Sequence, residues 1–131
     1  MERIEDALER VAGALRAADF ASVSIDPDDL DPNPVALWLQ PTGIGDLTLA
    51  GGGTLHLALY LICGNAETRD ALRLLDDALA GVLEVMGGGD LLSFADDDDP
   101  IDLRAAVLLP GYSQSLPAFR VALDTDLEET S

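Results

Sequence analysis

The sequence predicts an α+β domain: a mostly antiparallel sheet with two helices packed on one face and a β-hairpin at its end. Three observations lead there. The alternating apolar segments cluster between and after two helical segments instead of alternating with them one for one, which separates α+β from α/β chains. Each helical segment carries a single apolar stripe, so it buries one side only. The longest alternating stretch, "TLHLALYLIC" at 54–63, lacks a clearly polar second face, so both of its sides need cover.

The elements follow in order. Ile4, Leu8, Val11 and Leu15 recur at spacings of four, three and four among Glu5, Asp6, Glu9, Arg10 and Arg16. This is an outside helix, one stripe wide. "FASVSI" (20–25) alternates and suits a short strand, and "DPDDLDPNP" (26–34), with three prolines and four aspartates, is a turn-rich loop. "VALWLQ" (35–40) reads as a strand ended by Pro41. "TGIGD" (42–46) and "AGGGT" (50–54) flank a short strand "LTL", and the second glycine cluster turns into the strand 54–63. "GNAET" opens a second helix with Asn65 as N-cap. Its stripe of Leu72, Leu75, Leu79, Val82, Leu83 and Met86 is wider, which predicts deeper packing, and it stops at "GGG" (87–89). Residues 90–102 are expected to form a long loop with an acidic tip; "LRAAVLL" and "PAFRVALDTDL" are strands joined by "PGYSQSL". The 131 residues make one domain with room for a single core.

Charge is the outlier in composition. Twenty-five acidic residues against seven basic ones, all arginine, give −18. Such a surface repels nucleic acid and anionic membranes and favours solubility. The longest apolar run has nine residues, short of the roughly 20 that a membrane helix needs. The charged, periodic "ERIEDALERV" opening predicts no signal peptide, and the single Cys63 predicts no internal disulfide. The expectation is a soluble protein, intracellular where it is made.

Against that background, residues 34–63 carry one formal charge, Asp46. Two helices cover one face of a sheet, not both. The other face, with Trp38, His56, Ala58 and Tyr60, has the semi-polar, aromatic composition of an interface. Another copy or a partner is expected to cover it; the alternative is that a loop such as 90–102 folds over it.

No catalytic or metal constellation is legible. His56 is the only histidine and lies on the opposite strand face from Cys63. "DPDDLD" starts like a calcium loop at Asp26 and Asp28, but Leu30 occupies the third ligand position and no glycine makes the sharp turn. "GYSQS" lacks the second glycine of a nucleophile elbow, and "GGGT" is followed by neither lysine nor helix. No enzyme activity, cofactor or bound metal is expected.

The element order resembles a family. An N-terminal amphipathic helix, a hairpin ending in "LHLALYLIC", a helix of "ETRDALRLLDDALAGVLEVM" type and a terminal hairpin closing on "LPAFRVALD" are similar to the tail terminator proteins of long-tailed, siphovirus-type phages of actinobacterial hosts. The likeness covers nearly the whole chain and lies in element order and local character. The "DDDD" loop and the extreme acidity depart from the pattern and leave other head–tail joining or tail-completion proteins as an alternative.

The resemblance implies a structural virion protein, made in the host cytoplasm and located in the virion tail. It would form a ring, usually a hexamer, that caps the tail tube, ends its polymerisation and meets the head–tail connector. The implied partners are further copies of itself, the tail tube protein and the connector protein, with DNA passing through without specific binding and no membrane. A ring would cover the orphaned sheet face, and acidity suits a channel through which DNA slides. Within that picture Gly43, Gly45, Gly51, Gly52 and Gly53 are candidate docking loops, and Asp96, Asp97, Asp98 and Asp99 a candidate acidic ring mouth. Five of the seven arginines lie in the helices, leaving Arg104 and Arg120 to reach the other sheet face. A different class of function remains beside it: a small-molecule-binding regulatory domain with a pocket between the second helix and the Trp38 face.

Overall fold

The computed structural model describes residues 3–20, 22–32, 35–49, 51–64, 68–95 and 98–128. Its elements are α1 (Ile4–Ala17), β1 (Val23–Ser24), a 3-10 turn (Pro27–Asp29), β2 (Val35–Gly45), β3 (Gly53–Cys63), α2 (Thr68–Gly87), β4 (Ser93–Phe94), β5 (Ile101–Val107) and β6 (Leu116–Leu127). The fold is α+β, with a six-stranded, mostly antiparallel sheet and both helices packed against it. The sheet order is β1-β2-β3-β6, and β1 beside β2 is its parallel pair. Because β3 occupies one edge of β6, β4 and β5 share the other, end to end.

The stripe of α1 behaves as its spacing predicts: Leu8, Val11 and Leu15 are buried, with Ala7 and Ala12 filling the gaps. Asp19, in the left-handed region (φ 70°), ends the helix. Its N–H donates to the Arg16 carbonyl, and the Phe20 N–H donates to that of Leu15, closing the last turn. Arg16 then donates to the Val23 carbonyl at 2.9 Å, and Arg10 to that of Asp126 at 2.7 Å. These two arginines tie the helix to β1 and β6.

α2 is rotated from the expected stripe. Ala71, Leu75, Ala78 and Val82 are the residues fully buried against the sheet, while Leu72 and Leu83 are exposed. Small alanines let the helix axis approach the sheet, and the leucines fall to its flanks. The Asn65 cap lies outside the described residues.

β2 does not stop at Pro41 but runs on to Gly45, with a register shift between Pro41 and Gly43. The reason is the shortness of β1, which pairs only with Leu37 and Trp38. Beyond them β2 is an edge, where a residue without an N–H costs no ladder hydrogen bond. The expected strand "LTL" is instead the hairpin tip. Thr48 exchanges backbone bonds with Gly51 and Gly52, and its hydroxyl accepts from the Gly52 N–H at 3.1 Å. Gly51 adopts φ 89°, which a side chain would resist.

The segment 90–102 is not one loop. Leu92 enters the core, Thr125 donates to the Leu91 carbonyl at 2.7 Å, and β4 pairs with β6. The Ala95 N–H donates to the Ala122 carbonyl and the Ala122 N–H to that of Pro100. Asp98 and Asp99 therefore lie on an excursion from one edge strand.

Candidate functional site

The face of the sheet away from the helices can be assembled from the register. One row across it is Ser24, Trp38, Tyr60, Arg120 and Asp102; the next is Gln40, Ala58 and Ala122; a third is Gly43, His56, Asp124 and Ser93. At the Cys63 end the chain covers this face itself. Ile62, Val107, Leu109 and Ala118 form a second buried cluster, with Leu30, Trp38, Tyr60 and Leu116 packed on it. The cover comes from the segment after β5 and from Leu30, not from residues 90–102.

Trp38 and Tyr60 are half-buried in the middle of the face and stacked, with ring centroids 5.2 Å apart at 26°. Offset stacking adds about 1 kcal/mol to their area burial. A cleft of about 390 Å³ opens beside Trp38, lined by Pro27, Leu109 and Tyr112 among others. Ala58, expected at an interface, has no accessible surface; it is a spacer beneath its neighbours, and a partner would touch Trp38, Tyr60 and His56 instead.

Toward the Thr54 end the face becomes ionic. His56 Nδ1 lies 2.6 Å from Asp124 Oδ1, so the carboxylate orients the ring. The ring's other edge rests on β2: a Cβ added at Gly45 would stand 2.9 Å from Nε2, and one at Gly43 3.9 Å from Cδ2. Those two glycines are strand residues that let an imidazole lie across the backbone, which corrects their placement in a loop. Gly53 also lies in a strand, leaving Gly51 and Gly52 in the turn. A histidine and a carboxylate at this distance make two parts of a nucleophile-activating triad. Here Nε2 is turned onto Gly45 of β2, which carries no side chain.

Among the described residues, no three of the metal-ligating types come together, and no helix is long and apolar enough to cross a membrane. The aspartates of "DPDDLD" serve the local backbone, since Asp26 Oδ1 accepts from the Asp28 N–H at 3.0 Å and so caps the 3-10 turn. Asp98 and Asp99 are exposed on the edge-strand excursion; Asp96 and Asp97 lie outside the described residues. Arg120 stands opposite Tyr60, with Asp102 on its other side.

α2 and Trp38 lie on opposite sides of the sheet, so the expected pocket between them does not exist. An open groove of about 420 Å³ runs instead between α2 and β5, past Leu72, Leu75, Leu103 and Phe119. Leu103 is 57% exposed and Leu72 49% exposed. Sequence reasoning missed this groove by assigning Leu72 to the core; the 71, 75, 78, 82 spacing of the alternative stripe was the available signal. At the opposite corner, Leu47 (62% exposed) and the fully exposed Leu49 project from the hairpin tip.

Neither protein-family models nor curated proteins give any match to this chain.

Proposed function

We propose that this protein is a non-enzymatic assembly component that works as a ring of identical copies, in the manner of a phage tail terminator. In that role it would cap the tail tube and meet the head connector, with DNA passing through. The observation that carries the reading is the contrast between a chain of charge −18 and its nearly neutral central hairpin, residues 34–63. That hairpin forms the middle of the sheet, presents the half-buried Trp38–Tyr60 pair and ends in two exposed leucines. Copies that repel one another through most of their surface can meet only where charge is low.

The element order of helix, hairpin, helix and terminal hairpin supports the comparison with tail terminators, and other head–tail joining proteins share the same physical requirements. The concavities are open grooves on the surface, which suits macromolecular contact better than an enclosed small-molecule site.

Solution mass and tube capping test the proposal together. Multi-angle light scattering should give a multiple of the protomer mass, and the ring should bind and stop growing tubes of the cognate tube protein. A protein that stays monomeric at high concentration and leaves tube growth unchanged would defeat it.

A further inference from the structure

Two exposed apolar features among the described residues have complementary shapes and lie at opposite corners. The hairpin tip is a knob: Leu47 and Leu49 stand out from the Gly53 end of β3, with Asp46 beside them. The groove between α2 and β5 lies at the other end of the sheet, where Ala118 and Phe119 pair with Ile62 and Leu61. Eight to nine residues of β3 separate the two levels, which is about 30 Å at strand rise. A chain cannot place its own tip in its own groove.

We infer that the tip of one copy seats in the α2–β5 groove of the next, making a head-to-tail contact between identical chains. This inference rests on the self-assembly reading above and specifies its contact. The charges agree with the shapes. Asp46 is the single formal charge of the central hairpin, and the groove is lined by Arg104; an adjoining concavity that shares Leu72, Leu103 and Phe119 adds Arg73 with Asp76. Among the described residues, Arg104 is the charged side chain that lines this groove, in a chain with 25 carboxylates.

A carboxylate-bearing knob from a second copy meets positive charge there, while most other approaches bring carboxylate to carboxylate. Leu47 and Leu49 would leave water against Leu72, Leu103 and Phe119, which gives a reason for leucines at a tip where turn chemistry asks only for glycine and polar residues. Because knob and groove are different surfaces, the contact is heterologous. Repeated so that each copy gives its knob to one neighbour and its groove to the other, it generates a closed ring or an open filament.

The test uses two single variants and their mixture. Leu49→Asp removes the knob and Leu103→Asp the groove; both side chains are exposed, so circular dichroism should report wild-type folding, with Leu72→Asp in reserve for the groove. Each variant alone should associate at least about tenfold more weakly than wild type in sedimentation equilibrium. The equimolar mixture should recover one contact, because the intact groove of the first accepts the intact knob of the second. The expected product is a one-to-one heterodimer that cannot grow further.

The reversal Asp46→Arg should weaken wild-type assembly, and Arg104→Asp in the same chain should restore part of it. Wild-type protein that assembles while both leucine variants assemble equally well overturns this contact and leaves the ring intact. Variants that fail singly and also fail when mixed overturn the head-to-tail geometry. A monomeric wild type overturns both this contact and the proposed function.

Discussion

The two faces of β3 come from one ten-residue pattern and meet different fates. Toward the helices, Leu55, Leu57, Leu59, Leu61 and Cys63 are all buried in the main core. Away from them the strand grades along its length. Ile62 is sealed by the chain's own loops, Tyr60 is stacked and half-buried, and His56 is held in a hydrogen bond to Asp124. A face covered by two helices is uniform because a helix buries a long stripe at once. A face covered piecemeal takes a different residue type wherever the cover differs.

The largest effect should come from the uniform face. Leu59→Ala opens a cavity in the main core, where close packing limits collapse, and should cost about 3–4 kcal/mol in urea denaturation. Ile62→Ala, equally buried but in a small cluster whose other members touch solvent, should cost about 2 kcal/mol. An equal or reversed order would mean that the outer cluster is a second core in its own right, and the comparison between faces would need redrawing.

A smaller effect, near 1 kcal/mol, is expected for Gly45→Ala. The new Cβ would stand 2.9 Å from His56 Nε2, so the ring must move and weaken its pair with Asp124. A part-buried cross-strand pair of this kind contributes up to about 1 kcal/mol. In a His56→Ala background the sign should change: with the ring gone, alanine stabilises the strand relative to glycine by about 0.5 kcal/mol. A penalty that persists without the histidine would show that Gly45 is needed for some other reason.

The same contrast explains what was legible in the sequence. The core face of β3 and the α1 stripe needed only local periodicity, and both stand as expected. The phase of α2 was ambiguous because Ala71 and Ala78 compete with Leu72 and Leu79, and hydrophobicity alone favours the leucines. The passage of β2 through Pro41 depended on how far β1 reaches, which β2's own residues do not encode. β4 was hidden because two residues beside an acidic excursion carry no period. At the site, Trp38, His56 and Tyr60 were placed correctly on one face. The His56–Asp124 pair spans 68 positions in sequence, and the role of Gly45 follows only from it.

The smallest change in stability should come from Tyr60→Asp, which separates folding from assembly. Tyr60 is half-buried, so its loss forfeits the stacking on Trp38, about 1 kcal/mol, and part of its contact with the outer cluster. Against this, the new carboxylate would stand directly across from Arg120, and an opposite-charge pair at that spacing returns about 0.2–1 kcal/mol. The two nearly offset, so the net shift should stay below about 1 kcal/mol, with the monomer fold intact by circular dichroism. Assembly should respond more strongly if neighbouring copies cover this face. A carboxylate that a neighbouring copy strips of water costs several kcal/mol, more than one cross-strand pair with Arg120, which Asp102 already flanks, returns. Light scattering should then find monomer where wild type forms the ring. Unimpaired assembly of Tyr60→Asp would remove this face from the contact and leave the tip and groove as the surfaces that join one copy to the next.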